Sequence, residues 1–367
     1  YVIIDKNKTP INNIKKIKPN FFAKGFEYSK TNMPKETHLE IKEIKKFGGK
    51  MIFTPGDLVL SSTKILETSL PNLHLEKLLV TMDSHSITFK DLKNSLKNLS
   101  KFKIHVVGDT IIDTYTNTSL IGGQIKTPTF SVLYHNKNDY LGGAGIVSKH
   151  LRSAGAQVTF TTILGNDELK NFVIKDCKDN KIKLNYLSEK SRPTTNKNVF
   201  IAGGYRLLKV DTLDNKPIED ISIKKISKII SNIKSDAIIF SDFRHGIFNE
   251  KTIDLFSSKI KKNVFKVADS QVATRWGNIT EFKNFDLITP NEREARFCLA
   301  DQDSSIGVLS SKLKDFTKFK NLILKLGSKG VLCVGKKNSD QYFNFDSFAE
   351  NILDPVGAGD ALLSYST

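Results

Sequence analysis

A run of seven residues near the carboxyl end of the chain, Asp354-Pro355-Val356-Gly357-Ala358-Gly359-Asp360, combines an anion-binding turn with a carboxylate. The segment Gly357-Ala358-Gly359, which we call the glycine loop, can turn tightly and leaves its N–H groups uncovered, and a helix-compatible run follows it. A helix N-terminus binds anions through such N–H groups and its partial positive charge. Asp360 could then take a proton from an attacking hydroxyl, which suits phosphoryl transfer. A glycine turn before an ordinary helix explains the same residues equally well.

Length and composition indicate a soluble globular protein of two domains. The chain has 367 residues, enough for two cores, and hydrophobic residues make up 39% of it. No apolar run approaches the length of a bilayer span, and no signal peptide opens the chain. Cys177, Cys298 and Cys333 are scattered, with neither metal-site nor disulfide spacing. We therefore expect a cytoplasmic protein with no membrane partner.

The net charge of +17 comes mostly from lysine. A nucleic-acid surface is one interpretation. However, the lysines are spread along the whole chain and lack the arginine and aromatic interleaving of single-strand binders. A basic surface also suits phosphorylated substrates. We therefore expect small phosphorylated ligands and no nucleic-acid partner.

From residue 101 onward, strand-like and helical segments alternate, which predicts an α/β fold with a parallel sheet. Six predicted strands end in a polar or acidic residue, at Asp109, Asp167, Asp242, Asp269, Asn291 and Lys325. One such residue is more often a turn or an N-cap. Six of them favour a binding site, because α/β proteins bind ligands at that edge of the sheet. Val199–Ala202 and Tyr205–Val210 flank Gly203-Gly204 and predict a hairpin in a second, small sheet.

Four motifs of this region occur in the order Gly108 to Asp113, Gly142-Gly143, Asn291 to Glu294 and Gly357 to Asp360. With them, residues 101–367 resemble the ribokinase-like (PfkB) carbohydrate kinases over nearly the whole domain. The resemblance implies a doubly wound α/β sheet with a small β lid. Within that family, segments 192–197 and 207–211 are most similar to the heptose-phosphate kinases of ADP-heptose synthesis, which are often fused to a nucleotidyltransferase.

The resemblance also implies a role for each motif. Asp360 is the expected general base, and the N–H groups of Gly357, Ala358 and Gly359 hold the transferring phosphoryl group. The sugar-binding residues that it implies are Asp113, Gly142 and Gly143 for hydroxyls, and Lys197 and Arg206, on the lid hairpin, for a substrate phosphate. The implied ATP-binding residues are Asn291, Lys325, Gly327 and Gly330, with Asn291 and Glu294 organising Mg²⁺ through water.

Two departures from the family pattern bear on the substrate. Ile146 stands where the family usually has asparagine, three residues after Gly143, so an expected hydrogen bond is lost and the sugar is left open. Asp354-Pro355-Val356 replaces the usual Asp-Thr-x, which removes a hydroxyl near the glycine loop. Neither change removes the expected chemistry.

The first 70 residues resemble part of a different domain. Strands near 21–23 and 51–53 with a helix over 37–47 between them predict another α/β unit. Segments 17–28 and 61–63 are similar to the C-terminal half of the cytidylyltransferase-like nucleotidyltransferases, a Rossmann-like fold. That resemblance implies nucleotide phosphate contacts from Lys24, Ser61, Ser62 and Thr63. The family's H-x-G-H element is absent, so we expect this half to be inactive as it stands; ordinary loop and cap roles are the alternative.

These observations predict a partial nucleotidyltransferase-like domain over 1–70, a linker and helix over 71–100, and a sugar kinase domain over 101–367, with both chain ends cut. The expected activity is ATP- and Mg²⁺-dependent phosphorylation of a sugar phosphate, heptose 7-phosphate to heptose 1,7-bisphosphate, with a linked nucleotidyltransferase activity in a longer protein. Two alternatives stay open: a PfkB kinase for fructose, ribose or a nucleoside, and a non-catalytic sugar- or nucleotide-binding regulator. A homodimer through the lid is expected by analogy with the family.

Overall fold

The computed structural model describes residues 5, 7, 9–25, 34–54, 73–123, 129–272, 276–335, 342–349, 352 and 354–367. The chain divides into two compact units, Tyr1–Phe89 and Lys90–Thr367. Within the described ranges, no helix has both the length and the apolar character needed to cross a bilayer.

The first unit is a small α/β arrangement. Its helices and strands are α1 (Ile11–Ile17), β1 (Phe21–Gly25), α2 (Lys35–Lys45), β2 (Lys50–Thr54) and α3 (Leu73–Ser84). β1 and β2 pair in parallel, as strands joined by a crossover helix do. Ile14 of α1 and Ile44 of α2 are each 1% exposed and belong to its core. The two strands and the helix predicted between them are confirmed.

The helix α3 lies in a stretch where we predicted a linker. Leu75, Leu78, Leu79 and Met82 have the i, i+3, i+4, i+7 spacing of one helical face, and the proline, asparagine and serine residues of this stretch obscured it. The prediction of an irregular linker is therefore wrong for Leu73–Ser84. The following helix, α4 (Phe89–Asn98), agrees with the apolar spacing of Leu92 and Leu96.

The second unit contains two sheets. Its strands are β3 (Lys103–Gly108), β4 (Thr110–Gly123), β5 (Phe130–Gly143), β6 (Gln157–Leu164), β7 (Lys183–Ser188), β8 (Asn196–Ala202), β9 (Tyr205–Thr212), β10 (Ala237–Asp242), β11 (Phe265–Ser270), β12 (Leu287–Ile288), β13 (Asn321–Lys325), β14 (Val331–Val334) and β15 (Tyr342–Phe345). The main sheet has the order β15-β14-β13-β12-β11-β10-β3-β6-β7. From β7 to β13 its strands are parallel, and β14 and β15 continue it antiparallel. The carboxyl ends of the parallel strands therefore meet at one edge.

Helices cover both faces of the main sheet. They are α5 (Ala144–Ser153), α6 (Glu168–Asp179), α7 (Asp220–Asn232), α8 (Glu250–Lys259), α9 (Glu292–Leu299), α10 (Ile306–Thr317) and α11 (Ala358–Ser366), with 3-10 turns at Leu99–Lys101, Ile279–Glu281 and Gly327–Lys329. Alternate residues of β10 enter two separate cores: Ile238 and Phe240 pack with residues of α7, α8 and α10, and Ala237 and Ile239 with residues of α5, α6 and α11. The doubly wound α/β fold is confirmed.

The small sheet, which we call the lid sheet, has the order β5-β4-β8-β9. The predicted hairpin is β8–β9, turning at Gly203 and Gly204, whose φ angles of 56° and 83° suit glycine. In the register, Asp113 lies opposite Tyr140 on one side and Lys197 on the other, and Lys197 lies opposite Asp211. Directly opposed residues share a face, so these four side chains form one row.

Candidate active site

The glycine loop begins helix α11, as the sequence predicts. Gly357 is the N-cap residue, and its φ of 83° is the left-handed conformation that favours glycine. The N–H of Ala358 donates to the carbonyl of Pro355 at 3.2 Å. The N–H groups of Gly357 and Gly359 have no backbone acceptor in the part of the chain that the structure describes. Two donors at a helix N-terminus therefore remain for an anion.

Asp360 lies in the first turn of α11. Its Oδ1 atom is buried and has no hydrogen-bond partner among the described residues. Burial raises the pKa of Asp360 to about 7; the negative charges of Asp269 and Asp113 act in the same direction, and Lys325 opposes them. A carboxylate with a pKa near neutrality is well matched to accept a proton from a hydroxyl.

A cavity of about 610 Å³ lies beside Asp360. It is lined by Ile111, Asp113, Tyr115, Tyr140, Leu141, Gly142, Gly143, Ile146, Lys197, Lys209, Phe243, Gln271, Val356, Gly357 and Asp360. The structure thus brings together residues that are distant in the sequence, from both the lid sheet and the carboxyl edge of the main sheet. The cavity is large enough for a small polar ligand.

Gly142 and Gly143 are needed for two different reasons. A Cβ at residue 142 would collide with Oδ2 of Asp113, so only glycine lets that carboxylate lie against the backbone. Gly143 is the N-cap of α5 with a φ of 59°, and a Cβ there would meet the carbonyl oxygen of Asp109. Burial raises the pKa of Asp113, while the charges of Lys197 and Lys209 lower it.

Two lysines of the lid sheet face the cavity. Burial and the neighbouring Lys209 lower the pKa of Lys197, while Asp211 and Asp113 raise it. The Nζ of Lys209 lies 3.6 Å from Oδ1 of Asp211. The sequence motifs did not single out Lys209, although its spacing of two residues from Asp211 puts both on one face of β9. Two ammonium groups at one wall favour an anionic ligand group.

Arg206, predicted beside Lys197, does not line the cavity. Its guanidinium lies 3.4 Å from Oδ2 of Asp354, at the start of the heptad that ends in Asp360. A register shift between Phe200 and Ile201 places Arg206 opposite Ile201, farther along the lid sheet than Lys209.

The predicted nucleotide-side residues Asn291 and Glu294 are hydrogen-bonded to each other's backbone. Asn291 caps α9: its Oδ1 accepts from the N–H of Glu294 at 2.8 Å, and Glu294 Oε2 accepts from the N–H of Asn291 at 2.7 Å. Burial raises the pKa of Glu294 to about 7, Asp269 adds to the rise, and Lys325 opposes it. Gly327 and Gly330 have φ angles of 63° and 86° and close the turn between β13 and β14.

Lys325 is at the carboxyl end of β13, with its side chain pointing to the glycine loop. Its Nζ donates to Oδ1 of Asp269 at 2.9 Å. The position that a Cβ of residue 359 would take is 3.4 Å from the same Nζ. Burial lowers the pKa of Lys325, but Asp269, Glu294 and Asp360 outweigh it, so the net shift is upward. The group is therefore a fixed positive charge.

Two buried residues of the motifs hold loops together. Arg192 bonds Glu189 and the carbonyls of His245 and Lys216, so it joins three segments instead of facing a ligand. Asp109 accepts the N–H groups of Phe243 at 3.0 Å and His245 at 3.2 Å. That contact places Phe243 at the cavity.

In the first unit, Lys24 is engaged within the protein. Its Nζ lies 2.6 Å from Oε2 of Glu40, which is 1% exposed, and 3.1 Å from the hydroxyl of Thr37. Ser61, Ser62 and Thr63 lie outside the described residues. The expected phosphate contacts of this unit stay a prediction.

The sequence of the second unit matches a family model described as pfkB family carbohydrate kinase over residues 101–364. The chain belongs to this family. Among curated relatives, the chain is 24% identical over 269 residues to the bifunctional protein HldE of a Nitratiruptor species, covering 72% of this chain and 56% of that protein. It is 23% identical over 272 residues to the D-beta-D-heptose 7-phosphate kinase of Bordetella bronchiseptica, covering 73% and 84%. The chain thus spans about half the length of the bifunctional relative.

Solved pfkB-type structures share the fold. Phosphofructokinase-2 from Escherichia coli superposes with a TM-score of 0.59 at 15% identity, covering 72% of this chain and 85% of that one. Ribokinase from Giardia lamblia gives a TM-score of 0.56 at 16% identity, covering 72% and 83%. The ribokinase-like fold expected from the sequence is confirmed for the second unit.

Proposed function

We propose that the protein is an ATP-dependent sugar-phosphate kinase whose acceptor is heptose 7-phosphate and whose product is heptose 1,7-bisphosphate, a precursor for ADP-heptose. The observation that carries the proposal is the single cavity with Asp360 and the glycine loop at one part and Lys197 and Lys209 at another. A base beside an anion site supports phosphoryl transfer, and the two lysines support an acceptor that already bears a phosphate. The choice of a heptose as the acceptor rests on the names of the relatives.

In this proposal, some residues of the cavity bind the substrate and others take part in phosphoryl transfer. Asp113 and the backbone at Gly142 and Gly143 bind sugar hydroxyls, and Lys197 with Lys209 binds the acceptor phosphate. Asp360 accepts the proton of the attacking hydroxyl. The N–H groups of the glycine loop stabilise the charge on the transferring phosphoryl group.

The donor set fits a water-shelled Mg²⁺ and not one caged by protein. Among the described residues, no group of three or more His, Cys, Asp or Glu side chains is close enough to hold a metal. Glu294 is buried; its Oε2 accepts the capping bond from Asn291, and its carboxylate also accepts from the backbone of Val272. Mg²⁺ usually retains several waters and bridges phosphates, so Glu294 and Asn291 would orient metal-bound water. The bound ion would neutralise charge on the phosphates of ATP.

The test is ATP turnover by the full chain against heptose 7-phosphate, fructose 6-phosphate, fructose and ribose, with Asp360→Asn beside wild type. We expect turnover with the heptose phosphate and a loss of at least about 100-fold in kcat for Asp360→Asn, because the proton acceptor is gone. Asp315→Asn, an exposed acid on α10, is the matched control and should behave as wild type.

Each outcome of this panel separates one interpretation from the others. Preference for fructose or ribose would keep the fold and the chemistry and replace the acceptor; Arg206, which does not line the cavity, favours this second candidate, because an unphosphorylated sugar needs fewer cationic side chains. Full activity in Asp360→Asn would contradict the role of the base. Absence of turnover with every sugar would leave a sugar- or nucleotide-binding regulator.

The lid sheet also supports a homodimer. On the face opposite the row of Lys197 and Asp211, large apolar side chains are open to solvent, including Tyr134 at 58%, Leu208 at 58% and Val210 at 42% exposure.

We further propose that the first unit is part of a nucleotidyltransferase-like domain and that the protein acts in the cytoplasm.

A further inference from the structure

The ion pair between Asp269 and Lys325 is buried at the edge of the main sheet. The side chains are 3% and 13% exposed, and Nζ and Oδ1 are 2.9 Å apart. The hydroxyl of Thr289 donates to the same Oδ1 at 2.8 Å, which fixes the carboxylate from a second side. Burying two charges costs desolvation free energy that the attraction between them barely repays. Stability is therefore a weak explanation for this pair.

The position of the ammonium relates the pair to phosphoryl transfer. A Cβ at Gly359 would be 3.4 Å from Lys325 Nζ and 3.8 Å from its Cδ, so the lysine runs along the glycine loop. An anion held by the N–H groups of that loop would lie next to a positive charge. Charge-assisted hydrogen bonds to such an anion are roughly twice as strong as neutral ones.

The charge balance around Lys325 points to a second effect. One ammonium faces three carboxylates, those of Asp269, Glu294 and Asp360. Its attraction favours the ionised form of Asp360, and the negative charge of Asp269 opposes it. The two partners of the ion pair therefore act on Asp360 in opposite directions.

We propose that Lys325 binds an oxygen of the transferred phosphoryl group beside the glycine loop and favours the ionised form of Asp360, with Asp269 as the residue that positions Lys325. This inference rests on the proposed kinase function. In the step, the sugar hydroxyl gives its proton to Asp360 and its oxygen forms the bond to the γ-phosphorus. The bond from that phosphorus to the β–γ bridging oxygen breaks, and its electron pair leaves with ADP. Lys325 keeps its protons throughout.

The test uses the full chain with Lys325→Met and Asp269→Asn, and two readouts: kcat as a function of pH, and the titration of the Asp360 carboxyl by ¹³C NMR without nucleotide. In Lys325→Met we expect Asp360 to titrate at higher pH and kcat to fall about 100-fold or more, as for loss of one transition-state donor. In Asp269→Asn we expect Asp360 to titrate at lower pH, while kcat falls because Lys325 has lost its anchor. Lys325→Gln, which keeps a donor for Asp269, covers the case in which Lys325→Met does not fold.

The matched control is Lys320→Met, which breaks the Lys320–Asp286 ion pair just before the same strand, away from the cavity. It should leave both readouts unchanged. If the ion pair between Asp269 and Lys325 served stability alone, the variants would melt at a lower temperature while Asp360 titrated as in wild type. That result would overturn the proposal. Wild type without sugar-dependent turnover would refute the proposed kinase function, whereas the NMR titration would still decide the coupling between Lys325 and Asp360.

Discussion

Asp113 and Gly142 are in direct contact, and each constrains the other. The carboxylate occupies the space that any side chain at residue 142 would need. Burial raises the pKa of Asp113, and the charges of Lys197 and Lys209 oppose that rise without cancelling it. A hydrogen-bond acceptor is thereby held at a fixed place in the cavity, where it can bind sugar hydroxyls.

Gly142→Ala should weaken sugar binding without abolishing the fold. The new methyl group displaces the carboxylate of Asp113, so we expect KM for the sugar to rise about tenfold or more, the effect of losing one hydrogen bond to a charged group, while kcat at saturation changes less. Steady-state kinetics with varied sugar and fixed ATP gives this split.

Gly307→Ala, in α10 where nothing lies within 4 Å of the added methyl, is the control and should match wild type or be slightly more stable. An unchanged KM in Gly142→Ala would show that Asp113 does not bind the sugar.

The lid strand β9 carries two basic residues with different surroundings. Lys209 faces the cavity, and Arg206 lies against Asp354 outside it. Arg206 pairs with Ile201, nearer the hairpin turn than Lys209, which pairs with Val199, so the two side chains lie at different distances from the cavity.

Lys209→Met should raise KM for a sugar phosphate by about tenfold and leave KM for an unphosphorylated sugar unchanged. The effect is modest because the Lys209 side chain is half exposed and water screens its charge. Parallel kinetics with fructose 6-phosphate and fructose measure the difference. Arg206→Met is the matched variant and should show little change; a larger effect there than in Lys209→Met would contradict the placement of the acceptor phosphate.

The helices and strands show how much of the fold could be predicted from the sequence. Apolar periodicity and the four motifs predicted the alternating fold, the hairpin and the helix start at Gly357, since these depend on local spacing. The motifs also predicted that Asp113, Gly142 and Asp360 share a site. Asp269 was predicted only as one of six polar strand ends and Lys209 was given no role, because the contacts of both residues depend on the pairing of distant strands. The helix α3 was missed because Pro71, Asn72, Ser84 and Ser86 around its apolar stripe favoured a linker.

At the scale of the whole second unit, stability should depend on pH through a buried histidine. His105, in the centre of β3, is 1% exposed, and its Nε2 lies 2.8 Å from the hydroxyl of Thr161. Burial lowers its pKa to about 3, against about 6.5 when unfolded. The unfolded chain therefore binds an extra proton as pH falls below about 6.5, and the stabilisation that His105 gives in its neutral form is lost progressively toward pH 3.

Between pH 7 and pH 5, wild type should lose about 2 kcal/mol more unfolding free energy than His105→Gln, which carries no ionisable group. Urea unfolding of both proteins at the two pH values measures the difference. His135→Gln, a change at an exposed histidine of β5, should follow wild type closely. Equal losses in wild type and His105→Gln would mean that His105 is not kept neutral by the fold.

The row of Tyr140, Asp113, Lys197 and Asp211 belongs to one sheet, and the glycine loop with Asp360 begins a helix that packs on another. In the proposed function, the residues that bind the acceptor and those that transfer the phosphoryl group thus lie on separate pieces of backbone. Substitutions at Tyr140, Lys197 and Asp211 can then alter acceptor binding without replacing Asp360 or the glycine loop, whereas Asp113 also raises the pKa of Asp360. Such an architecture makes acceptor preference an evolvable trait, and it identifies β4, β8 and β9 as the strands in which to redesign it.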